Sequence, residues 1–210
     1  MYDLTLQSSE GPIRVGFQRN TQYFGGELNQ RYTIRVTNDS HRRVEAVVTV
    51  DGLSVIDGKP GAYASRGMLV PARSSVDFDG WRTSLEEVAA FRISSPTETY
   101  AGVRGNLANI GIIGLAIFSE KGEAFLGSGY GGMLGATRGV TKGAGTAFGE
   151  QHTSRVRTTN FDRASATPAA VKTFRYDTIP ALVAAGILLS GDGPQAFPGN
   201  AHEPAFCKPA

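Results

Sequence analysis

The sequence has little of what disulfide bonds or metal centres require. Cysteine occurs once, at Cys207, and only three of the 210 residues are histidine. A single cysteine excludes an intrachain disulfide and any zinc or iron–sulfur site built from several thiolates. The histidines at positions 41, 152 and 202 lie far apart and lack metal-ligand spacing. We therefore expect no metal and no cofactor.

Net charge and long hydrophobic runs are also scarce. The formal net charge is only +2, whereas nucleic-acid binders usually show a stronger basic excess. The longest apolar runs, such as residues 110–118, are far shorter than the ~20 residues that span a bilayer. The N-terminus lacks the basic and apolar regions of a signal peptide. We expect a soluble protein made in the cytoplasm, with no nucleic-acid and no membrane partner.

Short β-strands dominate what is present. Apolar residues make up 40% of the chain, which is enough to build a core. Residues 31–37 (RYTIRVT) alternate, with Tyr32, Ile34 and Val36 on one face. Similar runs recur between turn signals spaced roughly 8–12 residues apart, which is typical of all-β proteins. We predict an all-β fold, an antiparallel β-sandwich or jelly roll.

The chain divides into four predicted segments. They are a β-sandwich core at 1–121, a glycine-rich loop or arm at 122–149, strands plus a short helix packing on the core at 150–190, and a proline-rich extended tail at 191–210. Ten glycines fall between positions 122 and 149, and each is costly to order in a regular element. An arm ordered by a partner is one interpretation, and glycine-rich strands that let another backbone approach closely are the other.

The short helix carries clear end signals. Asp177 or Thr178 can cap its N-terminus, Pro180 suits the first turn, and Gly186 suits the position after its last turn. Enzyme signatures are weak by comparison. A G-x-G-x-x-G match at 127–132 is not followed by a helical pattern, and nothing indicates that His152 and its acidic neighbours converge. We predict that the chain is not an enzyme.

Two sets of side chains are candidates for recognition. Arginines 31, 35, 42 and 43 could form a basic sheet face, either merely solvated or pairing with an acidic partner. Three aromatic residues could stack on a sugar or anchor an interface: Trp81, Tyr63 and Tyr100. Trp81 also fits a core position that closes the end of a sandwich.

Several short motifs are spread along the chain. The pattern V-x-V-D-G occurs at 48–52, G-W-R-x-S at 80–84 and N-x-G-x-I-G-x-A at 109–116, and later echoes include Arg163-Ala164 and Tyr176-Asp177. Together these motifs resemble a family of uncharacterised bacterial and phage-encoded β-sandwich proteins. The resemblance covers roughly residues 31–190. It implies a structural protein of a phage virion.

The functional expectation is therefore a capsid-associated cement, decoration or minor capsid protein located in the virion. Its expected partners are the major capsid protein or other virion proteins, with self-association in a multi-copy assembly. Contacts are expected from the arm and the tail, at Tyr130, Met133, Leu134, Phe197, Phe206 and Cys207. The alternative is a carbohydrate- or surface-binding β-sandwich module that uses the three aromatic candidates.

Overall fold

The computed structural model describes residues 1–122 and 143–190. Fourteen strands and two short α-helices lie in these ranges, and β-structure accounts for 51% of the described residues. The strands are β1 Tyr2–Ser8, β2 Gly11–Pro12, β3 Arg14–Gln18, β4 Thr21–Gly26, β5 Arg31–Asn38, β6 Val44–Val50, β7 Leu53–Ser54, β8 Met68–Val70, β9 Ser74–Phe78, β10 Gly80–Arg82, β11 Glu87–Ser94, β12 Ile112–Ser119, β13 Gly145–Thr153 and β14 Ala170–Thr178. The helices are α1 Tyr100–Val103 and α2 Ile179–Ala184. The predicted all-β class is confirmed.

The strands form two seven-stranded sheets. Sheet 1 runs β10-β11-β5-β1-β2, with β13 also paired to β11 and β9 to β5. Sheet 2 runs β3-β4-β14-β12-β6-β7, with β8 also paired to β6. One hydrophobic core draws on both sheets, since Ile34 of β5 and Phe91 of β11 share it with Val48 of β6 and Ile113 of β12.

Alternation along β5 explains how sheet 1 contributes to that core. Tyr32, Ile34 and Val36 are fully buried, while Arg31 before them and Arg35 between Ile34 and Val36 are exposed. Side chains of a strand alternate between faces, so this sequence can bury only one side. The predicted inward face of residues 31–37 is confirmed.

Strand pairing departs from the prediction at one place. β14 pairs with β4 in parallel, from Arg175 opposite Tyr23 to Thr178 opposite Gly26. No strand was predicted at β4, which ends in two glycines. Side chains explain those glycines: a Cβ atom at Gly25 would collide with Leu189, and one at Gly26 with Ile93.

Helix α2 has the predicted ends. The Thr178 hydroxyl accepts from the backbone N–H of Ala181, Pro180 lies in the first turn, and Gly186 has φ +74° just after the helix. Leu182 is buried against Tyr23. Helix α1 was not predicted; the side chain of its N-cap, Thr99, accepts from Gly102.

Residues 145–149 and strand β14 depart from the predicted division of the chain. Strand β13 begins at Gly145, so residues 145–149 belong to a strand and not to the predicted arm. Strand β14 lies between β12 and β4 inside sheet 2, so residues 150–190 help to build the core that was assigned to 1–121 alone. At Gly149, a Cβ atom would lie 2.7 Å from the carbonyl oxygen of Ala90. Close backbone approach, the alternative interpretation of the glycines, therefore holds here.

Hydrogen exchange tests the corrected boundary. Residues Gly145–Thr153 pair with β11, so their hydrogen-bonded amides should exchange on the slow timescale of β12 in the free protein. Amide exchange followed by mass spectrometry or NMR measures this directly. Fast exchange across 145–149, with β12 protected, would return those residues to an arm.

Candidate functional site

Trp81 is a core residue and is unavailable for ligand stacking. Its side chain is only 2% exposed, and its ring packs edge-on against Phe91 at a centroid distance of 5.4 Å. The indole N–H donates to the carbonyl of Ala147 at 3.3 Å. The prediction of Trp81 as a sugar-stacking residue is corrected, because the side chain is buried against Phe91 of sheet 1 and Tyr100 of α1.

Tyr100 belongs to the same aromatic cluster. Its ring lies 4.9 Å from that of Trp81 and 5.2 Å from that of Phe148. The guanidinium of Arg104 lies 4.3 Å above the ring, a cation–π arrangement. The structure thus brings two of the three predicted aromatic residues together, but as packing partners.

Tyr63 is the aromatic candidate that remains open to solvent. Its side chain is 49% exposed and borders a groove of about 330 Å³ on sheet 2. Gly114 and the hydroxyl-bearing Thr49 and Thr173 also line the groove, and Lys172 lies at its edge. A Cβ atom at Gly114 would stand 2.6 Å from the Thr49 hydroxyl oxygen, so a side chain there would displace that hydroxyl.

Arg163 fixes the loop that carries Tyr63. It donates to both carboxylate oxygens of Glu45, at 2.7 and 2.9 Å, and to the backbone carbonyls of Tyr63 and Ser65. Its guanidinium also lies 3.8 Å over the ring of Phe118. Both members of the ion pair are mostly buried, so a bidentate pair here holds the loop more firmly than an exposed one would.

A polar cluster lies buried between the two sheets. The Tyr176 hydroxyl donates to Asp51 Oδ1 at 2.6 Å, and the backbone N–H groups of Gly111 and Thr146 donate to the same carboxylate at 2.9 and 2.7 Å. The Thr146 hydroxyl lies 2.6 Å from the hydroxyls of both Tyr32 and Tyr176. Because the Asp51 carboxylate can only accept, the hydroxyl of Tyr176 donates to Asp51, that of Thr146 donates to Tyr176, and that of Tyr32 donates to Thr146.

Burial controls the proton affinity of this cluster. It raises the pKa of the Asp51 carboxyl to about 6, although hydrogen bonds from Tyr176, Thr146 and Gly111 oppose the rise. Burial also raises the pKa of Tyr176 well above its ordinary value, and that of Tyr32 as well. Both tyrosines therefore keep their protons and serve as hydrogen-bond donors. The arrangement satisfies a buried acid with donors from both sheets, so it joins the sheets.

The predicted basic face of arginines is largely neutralised within the chain. Arg35 forms a two-point pair with Asp77 at 2.7 and 2.8 Å, and Arg43 pairs with Glu120. Arg31 and Arg92 share Glu150, and Arg31 also lies 2.9 Å from the His152 ring. These exposed pairs leave less charge for an external partner than the sequence pattern predicted.

The outer edge of sheet 2 exposes apolar side chains. Residues 187–190 run beside β3, with Gly16 bridged to Leu189 and the Ser190 N–H donating to Val15. This antiparallel register places Phe17 opposite Leu188. Their side chains are 70% and 74% exposed.

The predicted arm and tail contacts lie outside the described residues. This applies to Tyr130, Met133, Leu134, Phe197, Phe206 and Cys207. Within residues 1–122 and 143–190, no group of three or more acidic, histidine or cysteine side chains is placed to hold a metal ion. In the same ranges, no helix is long and apolar enough to cross a membrane.

Comparison with family models, curated proteins and solved structures finds no match. Several residues in the motifs that carry the resemblance nevertheless have clear structural roles. Asp51 and Tyr176 form the buried cluster, Trp81 fills the core, and Arg163 anchors the Tyr63 loop. Sequence reasoning missed Thr146, because a threonine in a glycine-rich stretch carries no signal of burial.

Stability should depend on pH through Asp51. The folded protein holds the Asp51 proton up to about pH 6, whereas the unfolded chain loses it near pH 4. Below pH 4, the higher proton affinity of folded Asp51 therefore contributes its full stabilisation to the fold. This stabilisation, about 3 kcal/mol, is lost as the pH rises through 6. We expect the free energy of unfolding of the wild type, minus that of Asp51→Asn, to fall across this window in denaturant titrations.

Tyr176→Phe provides the directional control. Removing its hydroxyl takes a hydrogen bond from the ionised carboxylate, so the inflection should move to higher pH. A difference curve that is flat between pH 4 and 7, or that moves to lower pH in Tyr176→Phe, would contradict the assignment.

Proposed function

We propose that the protein is a structural subunit of a phage particle, a capsid-associated cement, decoration or minor capsid protein. The observation that carries the proposal is the apolar edge of sheet 2 at Phe17 and Leu188. An exposed apolar pair on a strand edge is a typical site of protein–protein contact, and each side chain contributes about 1.5–3 kcal/mol when fully buried. The resemblance to phage-encoded proteins favours a phage particle as the assembly.

The body that presents this edge is proposed to be a sandwich of jelly-roll type. Its support is the core shared by both sheets and the repeated passage of the chain between them. β5 of sheet 1, for example, lies in sequence between β4 and β6 of sheet 2. A body of this kind keeps its edge strands in fixed positions, which suits a subunit that must repeat the same contact many times.

The partners proposed for this edge are the major capsid protein, other virion proteins and further copies of the chain. Many copies in a lattice would multiply a contact that is weak in one copy.

Co-sedimentation tests this proposal. Tagged wild-type protein, produced in the culture that yields the particles, should sediment with gradient-purified particles. Phe17→Ser combined with Leu188→Ser should lower its occupancy about tenfold or more, because both apolar contacts are lost. Val103→Ser is the matched control, since Val103 is 76% exposed on α1 and should leave occupancy unchanged. Wild-type protein that stays at the top of the gradient would contradict the proposal.

The Tyr63 groove favours a second function, binding of a carbohydrate or another surface. Sugar-binding sites commonly combine an aromatic face with hydroxyl and amine hydrogen-bonding groups, and Tyr63, Thr49 and Lys172 provide these groups around one groove. This reading retains one of the three aromatic residues predicted for ligand stacking.

A glycan array tests the second function. Wild-type protein should bind at least one glycan class, and Tyr63→Ala should weaken that binding about tenfold, because a stacking face is removed. Phe17→Ala, which removes an exposed aromatic ring elsewhere, serves as the control. Equal binding by wild type and Tyr63→Ala, or no binding by wild type, would reject the groove as a sugar site.

A further inference from the structure

A second cleft, separate from the Tyr63 groove, lies between the edges of the two sheets. It has a volume of about 580 Å³ and borders β8 of sheet 2, β9 of sheet 1 and the segment 156–161. β8 pairs with β6, and β9 pairs with β5; among the described residues neither strand has a partner on its other side. Unpaired strand edges can accept hydrogen bonds from, and donate them to, an added extended chain.

Arginine dominates the charge of this cleft. Its charged lining residues are Arg66, Arg82, Arg157 and Glu45. Arg163 neutralises Glu45 through the two-point pair, so the acid does not offset the arginines. The net charge that faces the cleft is therefore positive.

The three arginines have different roles. Arg82 donates to the Ser154 carbonyl at 2.8 Å and lies near Asp79, which accepts from the Ser154 hydroxyl at 2.9 Å. Arg82 therefore holds the segment after β13 in place. Arg66 and Arg157 are exposed, and neither has an ion-pair partner within residues 1–122 and 143–190. Those two guanidinium groups are available to an anionic ligand.

Apolar side chains complete the cleft. Met68, Val76, Val156 and Phe161 line it, and Leu85 does so while 57% exposed. The wall formed by 154–156 is held by backbone bonds from Ser154 to Glu86 and from Val156 to Leu85, at 2.8 and 2.9 Å. An extended acidic peptide could use the arginines, the apolar surface and the open strand edges together. A free inorganic anion would use the arginines alone.

We propose that this cleft binds an extended acidic polypeptide segment of a partner protein, with alternating acidic and apolar side chains. The acidic side chains pair with Arg66 and Arg157, and the apolar ones contact Leu85 and Phe161. The backbone of the segment bonds to the free edge of β8 or β9. The inference stands on the cleft alone and does not depend on the contact at Phe17 and Leu188.

Fluorescence anisotropy with a labelled peptide of alternating glutamate and valine, seven residues long, tests the proposal on the full chain. We expect saturable binding that weakens with salt, as attraction between exposed charges does. Arg66→Glu combined with Arg157→Glu should weaken binding about tenfold or more. Arg155→Glu is the matched control, because Arg155 is exposed in the same segment but does not line the cleft, and it should bind within about twofold of wild type.

Three comparison ligands separate the alternatives. A lysine–valine peptide of equal length should not bind, and dextran sulfate or a glutamate–glycine peptide should bind at least about tenfold more weakly than the glutamate–valine peptide. NMR shifts of wild-type amides should locate bound peptide at β8, β9 and 156–159. Equal affinity for dextran sulfate, an Arg155→Glu loss as large as that of the double variant, or no peptide binding at all would overturn the proposal. Particle co-sedimentation would be unaffected by that outcome.

Discussion

The architecture depends on a buried carboxylate, that of Asp51, and on the donors that surround it. Asp51 follows β6 of sheet 2, Tyr176 lies on β14 of the same sheet, and Thr146 and Tyr32 lie on β13 and β5 of sheet 1. A buried acid without such donors would be strongly unfavourable, so only one relative placement of these strands is acceptable. Burying apolar surface drives the two sheets together, and the polar cluster selects their register.

The fixed positions of the strands determine which arginines have a carboxylate partner within the chain. Arginines on the exposed face of β5 find carboxylates on neighbouring strands, as Arg35 does with Asp77. Arg66 and Arg157 instead border the gap between sheet edges, where Glu45 is already occupied by Arg163. Two exposed apolar side chains, Phe17 and Leu188, face each other at the end of sheet 2. The surfaces proposed for protein contacts thus lie at the sheet edges, which the core holds in fixed positions.

The sequence predicted local features well and long-range ones poorly. Period-two alternation located β5, and capping residues located α2, because each signal lies within the element itself. The turn at Asp51-Gly52 was also predictable, since both residues take the positive φ that such dipeptides favour. The buried role of Asp51 was not predictable from the sequence, because its partners Thr146 and Tyr176 lie 95 and 125 positions away along the chain. The start of β13 and the parallel β14–β4 pair were missed for the same reason, since tertiary packing overrides the usual reading of glycine.

Whether these edges bind other proteins in an assembly can be seen directly. An electron cryo-microscopy reconstruction of gradient-purified particles from the culture that produces the protein is the most direct measurement. The account predicts density for the two-sheet body at repeated positions, with the edge at Phe17 and Leu188 pressed against a neighbouring subunit. Particles without this body, or a body whose β3 edge faces solvent at every position, would contradict it.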